Sequence, residues 1–389
     1  MTRTRPPRRG PAPGGEPTVT ALRAARSARG WSQSEAARRL AALGRERGAP
    51  VAAAASLKTQ LSRWENGHAL PDPPYRELLT ELYGRPAAEL GLAAHGADIP
   101  DADGPGRLRT ALAEAAAAAR AGAAPWWDQL AAAARLDDEL GAAGAGALVD
   151  AQIERLSEIV AHAVDPGPRA GLAAVLSAAA ALGAAQSLDR GHHDLAWRRY
   201  DRSLAAAREA AVPEAVAAAV AGQAEVLVDA GEPAAAVALL GSAAPGAGST
   251  AEVRLAGAMA VAAAAAGDRA AATRAIDDAR HRWSEVVDVV TPLPGLRIDV
   301  ADVHRWHGHA LAELGDRAAA APLHRALDVP QRSVRHRAAV HADLARVLGE
   351  AEPALAAEHA ATARELATGI GSARVAGRLA RPLPTGRAT

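Results

Sequence analysis

The sequence predicts an all-α protein in which a small N-terminal helical domain precedes a long array of helical hairpins. Apolar residues recur at helical spacing through most of the chain, and no stretch alternates apolar and polar residues as a half-buried strand does. Glycine-marked turns also recur at intervals of 34 to 48 residues, at Gly191, Gly231, Gly267, Gly315 and Gly349. Such regular turns predict a repeated unit of two helices.

The charge of the chain is unevenly distributed along its 389 residues. Residues 1–93 carry 15 basic and 8 acidic side chains, and the remainder carries an equal excess of negative charge, so that the formal net charge is zero. A basic N-terminal region on an acidic body favours a region that binds nucleic acid and a body that does not. Lys58 is the only lysine.

Composition also excludes several classes of protein. There is no cysteine, which excludes disulfides and thiol chemistry. No apolar stretch of signal-peptide length follows the first arginines, and the apolar stretches at 170–185 and 255–267 are rich in alanine and shorter than a bilayer span. We therefore expect a cytoplasmic protein without a membrane partner.

The N-terminal region reads as a tail followed by two helices. Residues 1–17 are rich in Arg, Pro and Gly and are expected to be disordered. A first helix is expected at 19–28. A second is expected from Ser32 to Leu43, with a capping box formed by Ser32 and Glu35.

Residues 57–66 are predicted to form a helix with two different faces. Leu57, Leu61 and Trp64 fall on one face, and Gly67 is suited to end the helix. The other face is short, polar and cationic, which favours a DNA recognition helix over an ordinary amphipathic surface helix. It carries Lys58, Thr59, Ser62, Arg63 and Asn66.

Two further helices are expected after this stretch. Asp72 and Pro73 are typical of an N-cap and a first helical position, and an apolar stripe that begins at Tyr75 and ends at Leu82 follows them. A last short helix is expected at 86–92.

The run Arg63-Trp64-Glu65-Asn66-Gly67, and more widely residues 61–92, resembles the XRE (Cro/C1-type) helix-turn-helix regulators, in particular those of actinobacteria. The resemblance implies a five-helix DNA-binding domain over residues 18–93, with the 57–66 helix in the major groove. It also implies that Arg26 and Glu65 form a structural ion pair and that Gln33 donates to a DNA phosphate. The implied base contacts are Lys58, Thr59, Gln60 and Arg63, with Ser62 and Asn66 on the DNA backbone.

The sequence departs from compact members of that family in one place. Residues 44–55 lengthen the joint between the second and third helices. Either the second helix continues into this stretch or the third helix docks at a different angle.

Residues 94–107 are polar and rich in Gly and Pro, and are predicted to be a linker. Residues 108–381 are predicted to be helical, and the last residues, 382–389, a disordered tail. The spacing of the turns resembles the tetratricopeptide period of about 34 residues, which implies a degenerate α-solenoid of roughly five units. A plain helical bundle is the alternative.

No motif for catalysis, a cofactor or a metal is evident. His304 and His307 would share a helix face, but His309 would point elsewhere, which argues against a metal site. Trp197, Trp283 and Trp306 are expected to be core residues. The neighbouring Arg198, Arg199 and Tyr200 could line a concave surface.

We therefore predict a non-enzymatic, sequence-specific transcriptional regulator. Its partners would be a double-stranded DNA operator and a second copy of the chain. The repeat domain would dimerise or sense an effector, which could be a peptide, a small molecule or a protein. The alternative is a helical-repeat interaction scaffold with a vestigial helix-turn-helix domain.

Overall fold

The computed structural model describes residues 21–49, 51–66, 71–87, 89–92, 104–243, 249–286, 293–330, 333–349 and 351–381. These ranges contain helices and turns but no strand, which confirms the all-α prediction for them. The chain forms two compact units, Met1–Asp101 and Ala102–Thr389. The predicted tails and Gly67 lie outside the described residues.

Unit 1 contains four helices within its described residues: α1 (Ala21–Ala28), α2 (Gln33–Glu46), α3 (Ala54–Glu65) and α4 (Pro73–Tyr83). Their apolar faces meet in one core that includes Leu22, Leu40, Leu57, Leu61 and Leu79, each almost fully buried. All five lie at helical spacings that keep them on the inward stripe, so hydrophobic burial fixes the four helices against one another.

The long joint of unit 1 is shorter than the sequence predicted. The helix α2 continues through Gly44 to Glu46, and α3 begins at Ala54 rather than at residue 57. Gly44 is buried, and a Cβ there would lie 2.6 Å from a methyl carbon of Val51. The glycine therefore allows the returning chain to pack directly on α2, which absorbs much of the extra length.

Two local predictions for unit 1 are wrong. Residues 86–92, where a fifth helix was expected, form successive turns in their described part, and Gly91 has a φ of +68°. The capping box is only half formed. Ser32 Oγ accepts from the amide of Glu35 at 3.1 Å, but the Glu35 carboxylate pairs with Arg38 and Arg39 instead of returning to the cap. The two guanidiniums one turn ahead compete for it electrostatically.

Unit 2 consists of helical pairs preceded by two long helices. The predicted linker ends earlier than residue 107, because Gly104–Arg107 already form the first turn of α5, where a proline such as Pro105 is well tolerated. The helices are α5 (Gly104–Ala121), α6 (Ala124–His162), α7 (Pro166–Asp189), α8 (His193–Glu209), α9 (Pro213–Asp229), α10 (Pro233–Ser242), α11 (Ser249–Ala265), α12 (Arg269–Ser284), α13 (Val300–Glu313), α14 (Ala320–Asp328), α15 (Val334–Leu348), α16 (Pro353–Ile370) and α17 (Ala373–Ala380). A 3₁₀ turn, Arg317–Ala319, precedes α14.

The helices of unit 2 pack in two layers. The odd-numbered helices from α7 to α15 contact one another in sequence, and each also contacts the following even-numbered helix as a hairpin. Glycines with positive φ stand at the predicted turns, at Gly191, Gly231, Gly267, Gly315 and Gly349. The spacing of turns in the sequence therefore located the hairpins correctly.

The two ends of unit 2 meet. The helices α15 and α16 contact α6, and α17 contacts α7. An ion pair and a hydrogen bond connect the two ends. Arg335 Nη2 lies 2.9 Å from Asp137 Oδ1, and Ser372 Oγ donates to Asp189 Oδ1 at 2.6 Å. The array is thus closed on itself, and its inner layer surrounds an interior space.

Large aromatic side chains pack where glycine gives them room. Trp306 is buried, as predicted, and lies against Gly257 of α11. Trp283 is half-buried against the core formed by α11, α12 and α13. The prediction of a core position is wrong for Trp197, which is 38% exposed because it lies on the outer side of α8.

The helix α7 is the one described helix whose length and apolar composition would allow it to cross a membrane. However, 83% of its apolar window is buried inside unit 2. This burial is that of a core helix.

We expect Gly222→Ala to destabilise unit 2. A Cβ at Gly222 would lie within the van der Waals surface of the Tyr200 ring, and overpacking of this kind costs about 1–3 kcal/mol. Thermal unfolding followed by circular dichroism measures the effect. Gly241→Ala is the control, since a Cβ there meets open space and alanine favours the helix. Equal melting temperatures for the two variants would contradict the close packing of Tyr200 on α9.

Candidate nucleic-acid interface

The inward side of α3 holds this helix firmly to unit 1. Leu57 and Leu61 are 0% exposed and Trp64 is 8% exposed. The Trp64 ring lies 5.3 Å from that of Tyr75, whose hydroxyl accepts from the Ala52 amide at 3.0 Å. Because each contact comes from a different segment, α3 has a fixed rotation about its axis.

The outward side of α3 carries cationic and polar groups that have no partner among the described residues. Lys58, Thr59 and Arg63 are exposed, and their side chains make no hydrogen bond or ion pair within the described part of the chain. By contrast, Arg47 pairs with Glu81, and Arg29 donates to the Tyr83 carbonyl at 2.8 Å. The three side chains on α3 are therefore available to bind another molecule.

A buried ion pair joins the C-terminal end of α3 to α1. Arg26 Nε lies 2.6 Å from Glu65 Oε1 and its Nη2 lies 3.0 Å from Glu65 Oε2, so the pair predicted from sequence is present and bidentate. Arg26 Nη1 also donates to the Trp31 carbonyl at 2.7 Å. The hydrogen bond to Glu65, which is 1% exposed, raises the pKa of Arg26. The charge of Glu65 is thus matched inside the protein.

Gln33 belongs to the same network. Its Nε2 donates to Glu65 Oε2 at 2.9 Å, which ties the first residue of α2 to the end of α3. The prediction assigned this amide to a DNA phosphate. One of its two N–H groups is committed to Glu65, and the second is the one that could reach a phosphate.

The remaining predicted contacts differ in how far they face outward. Gln60 is half-buried, and its Oε1 is enclosed without a hydrogen-bond partner among the described residues, so this oxygen does not face the outward side. Asn66 is exposed at the C-cap, but its Nδ2 donates to the Ser62 carbonyl at 2.8 Å and caps its own helix. Ser62 is half-buried beneath it.

Sequence reasoning missed a cationic cluster around Trp31. The guanidinium carbon of Arg39 lies 4.6 Å from the Trp31 ring centroid and that of Arg29 lies 5.4 Å from it, both in the range of cation–π contacts. A signal was present, since an apolar residue directly before an N-cap such as Ser32 commonly packs against the helix that follows.

The described residues contain no group of three side chains suited to hold a metal ion. His309 Nδ1 lies 2.9 Å from Asp343 Oδ2, so it is committed to a carboxylate of α15. His304 and His307 lie on the same helix with half-buried side chains, and burial lowers the pKa of both.

Compared with known proteins, the chain matches no family model, no curated protein and no solved structure. The function must therefore be argued from the geometry of the two units.

Proposed function

We propose that the protein is a sequence-specific, double-stranded-DNA-binding regulator of transcription of the XRE (Cro/C1) type, with α3 in the major groove. One observation carries the proposal: the exposed row of Lys58, Thr59 and Arg63 has no partner among the described residues, on a helix whose opposite side is fixed by the core. A rigid helix with a free cationic face has the shape and charge that a major groove accepts.

The chemistry of this row suits base edges. An arginine guanidinium such as that of Arg63 pairs with guanine O6 and N7, and Lys58 can donate to the same atoms. Thr59 offers a hydroxyl and a methyl group, which can contact a thymine methyl. Ser62, Asn66 and the free N–H of Gln33 would position the DNA backbone, whereas Gln60 could contribute only through its amide nitrogen.

The basic charge of residues 1–93 supports the same function. Their excess of seven positive charges would attract the phosphate backbone independently of its sequence. Because one such domain reads few base pairs, we further propose a homodimer on a two-fold operator with half-sites about one helical turn apart.

Unit 2 is proposed to be a degenerate tetratricopeptide-like array that dimerises or senses an effector in the cytoplasm. Its two-layer packing with successive inner helices supports this interpretation. An effector that prefers one arrangement of the dimer would then change the affinity for the operator.

We expect Arg63→Ala to weaken the selection of specific DNA. The experiment is in vitro selection of genomic fragments on the purified protein, followed by titration of the enriched fragment. Loss of a bidentate contact to guanine should weaken specific binding by about 1–3 kcal/mol, roughly 5- to 160-fold, and relax the motif at one position. Arg85→Ala is the matched control, because Arg85 is exposed and follows α4 rather than lying on α3.

Uniform, salt-sensitive retention of all fragments that is unchanged by Arg63→Ala would overturn the proposal. The positive charge of residues 1–93 would then act alone, and the alternative function, a helical-repeat scaffold with a vestigial helix-turn-helix domain, would replace it.

A further inference from the structure

The closed array of unit 2 encloses a cavity of about 240 Å³. Its wall is formed by the inner helices α7, α9, α11, α13 and α15, by α6 and α17 at the junction, by Tyr200 of α8, and by the segment at residues 295–299. The volume lies just below that of ordinary small-molecule sites, and is suited to a ligand of a few heavy atoms.

Several charges in the wall of this cavity form ion pairs. Arg335 lies 2.9 Å from Asp137, and Arg374 lies 3.1 Å from Glu225 and also contacts Asp229. Arg305 Nη2 lies 2.9 Å from Asp302 Oδ1. Pairing of this kind offsets the cost of placing charges inside a protein.

Arg254 of α11 is an exception to this pairing. Its Nη2 donates to the backbone carbonyl of Leu296, and it forms no ion pair with a carboxylate among the described residues. The charges of Asp302 and Glu225 favour the cationic form of Arg254, and these two carboxylates pair with Arg305 and Arg374. The Arg254 side chain is half-buried, and burial lowers its pKa. A part-buried guanidinium with no carboxylate in direct contact keeps N–H donors for an anionic ligand.

Two aromatic side chains complete this part of the wall. Tyr200 and Trp306 both line the cavity. The Tyr200 ring packs against Gly222, and the Trp306 ring packs against Gly257. The Tyr200 hydroxyl makes no hydrogen bond within the described residues, and burial raises the pKa of Tyr200, so the group stays protonated and can donate. Trp306, which is 6% exposed, lines the same cavity as Arg254 and adds an aromatic side chain to its wall.

We propose that this cavity is the binding site of a small organic oxyanion. The carboxylate or phosphate group of the ligand accepts from the free N–H groups of Arg254 and from the Tyr200 hydroxyl, and the body of the ligand packs on Trp306. A planar guanidinium with several remaining donors is the group best matched to an oxyanion with two oxygens. The inference goes beyond DNA binding and holds whether or not α3 binds DNA.

The test is a thermal-unfolding titration of the full chain in a buffer free of oxyanions. The probes are acetate, butyrate and benzoate as carboxylates, and inorganic phosphate and methyl phosphate as phosphates. We expect a saturable rise in melting temperature with one class, because a ligand that binds only the folded state stabilises it. The class that saturates at the lower concentration identifies the headgroup.

Arg254→Gln should weaken that binding by about 10- to 100-fold, the usual effect of removing a charge-assisted hydrogen bond. Arg198→Gln is the matched control, since Arg198 is 62% exposed on the outside of α8. It should keep the full titration, and it also corrects for general stabilisation by salts.

Tyr200→Phe is a second test that does not depend on whether Arg254→Gln folds. It should leave the fold intact, because the Tyr200 hydroxyl has no protein partner among the described residues. It should weaken binding by about 2- to 10-fold with an unchanged melting temperature in the absence of probe. The proposal is overturned if no probe gives a saturable rise, or if Arg254→Gln and Tyr200→Phe both titrate as the wild type does.

Discussion

Replacing Asp343 with alanine is expected to be among the most destabilising single changes in unit 2. Asp343 is 0% exposed, and its carboxylate lies 2.9 Å from His309 Nδ1, 3.0 Å from Arg378 Nη1 and 3.3 Å from Arg346 Nη1. Burial alone would raise the pKa of Asp343, but these neighbours outweigh it and hold the pKa well below its ordinary range. The carboxylate is therefore ionised and joins α13, α15 and α17.

Removing this carboxylate leaves two guanidiniums facing each other without their shared counter-charge. Breaking a buried pair from one side costs about 3–5 kcal/mol, and Arg346 would retain only Glu313, 2.9 Å away. Urea unfolding of the full chain should show the lower midpoint. The control is Asp194→Ala, because Asp194 is 83% exposed in an i,i+4 pair with Arg198 and its loss should cost no more than about 0.5 kcal/mol.

Equal urea midpoints for the two variants would mean that water reaches the site of Asp343 in solution. An Asp343→Asn variant separates charge from shape, since asparagine keeps the hydrogen-bond acceptor but not the charge. If charge is the dominant factor, this variant should lie close to alanine rather than to the wild type.

The contacts between charged side chains inside unit 2 could not be predicted from the sequence. Asp137 and Arg335 are 198 positions apart, and Asp189 and Ser372 are 183 apart. No local pattern relates such positions, because their meeting depends on the closure of the whole array. The cavity-lining Arg254 was missed for the same reason, since a lone arginine in an alanine-rich helix looks like an ordinary surface residue.

Local features were predicted far better. The spacing of Leu57, Leu61 and Trp64 identified the buried side of α3, and Asp72 with Pro73 located the start of α4. In each case the physical cause lies within a few residues: helical periodicity for the first and the fixed φ of proline for the second.

The wrong prediction of a capping box at Ser32 and Glu35 has a different cause. Glu35 left its predicted capping role because Arg38 and Arg39 offered stronger partners. A carboxylate such as that of Glu35 can form either a capping hydrogen bond or an ion pair. Cationic side chains on the next turn of the helix decide which of the two forms.

Unit 2 is expected to lose stability between pH 6.5 and about 4, because several of its histidines are kept neutral. Burial, assisted by Arg280, lowers the pKa of His307 to about 4, and burial beside His359 lowers that of His341 to about 4. The His341 and His359 Nδ1 atoms lie 2.8 Å apart, a contact that requires a neutral ring.

The direction of this change in stability follows from the pH at which the folded and the unfolded chain each bind protons. Above pH 6.5 the rings are neutral in both the folded and the unfolded chain, and these histidines have no effect. As the pH falls towards 4, only the unfolded chain takes up the protons, so the free energy of unfolding decreases by up to about 1.4 kcal/mol per pH unit for each histidine. Both side chains are partly exposed, and water reduces this limit.

Urea unfolding at pH 7, 5.5 and 4.5 measures this loss. His307→Gln and His341→Gln should each flatten the dependence on pH, even if they lower the stability at pH 7, because glutamine binds no proton in this range. His193→Gln, at an exposed position, is the control. If all three variants follow the wild-type curve, carboxylates rather than histidines govern the acid unfolding. The neutral His307 and His341 rings would then contribute nothing to the dependence of stability on pH.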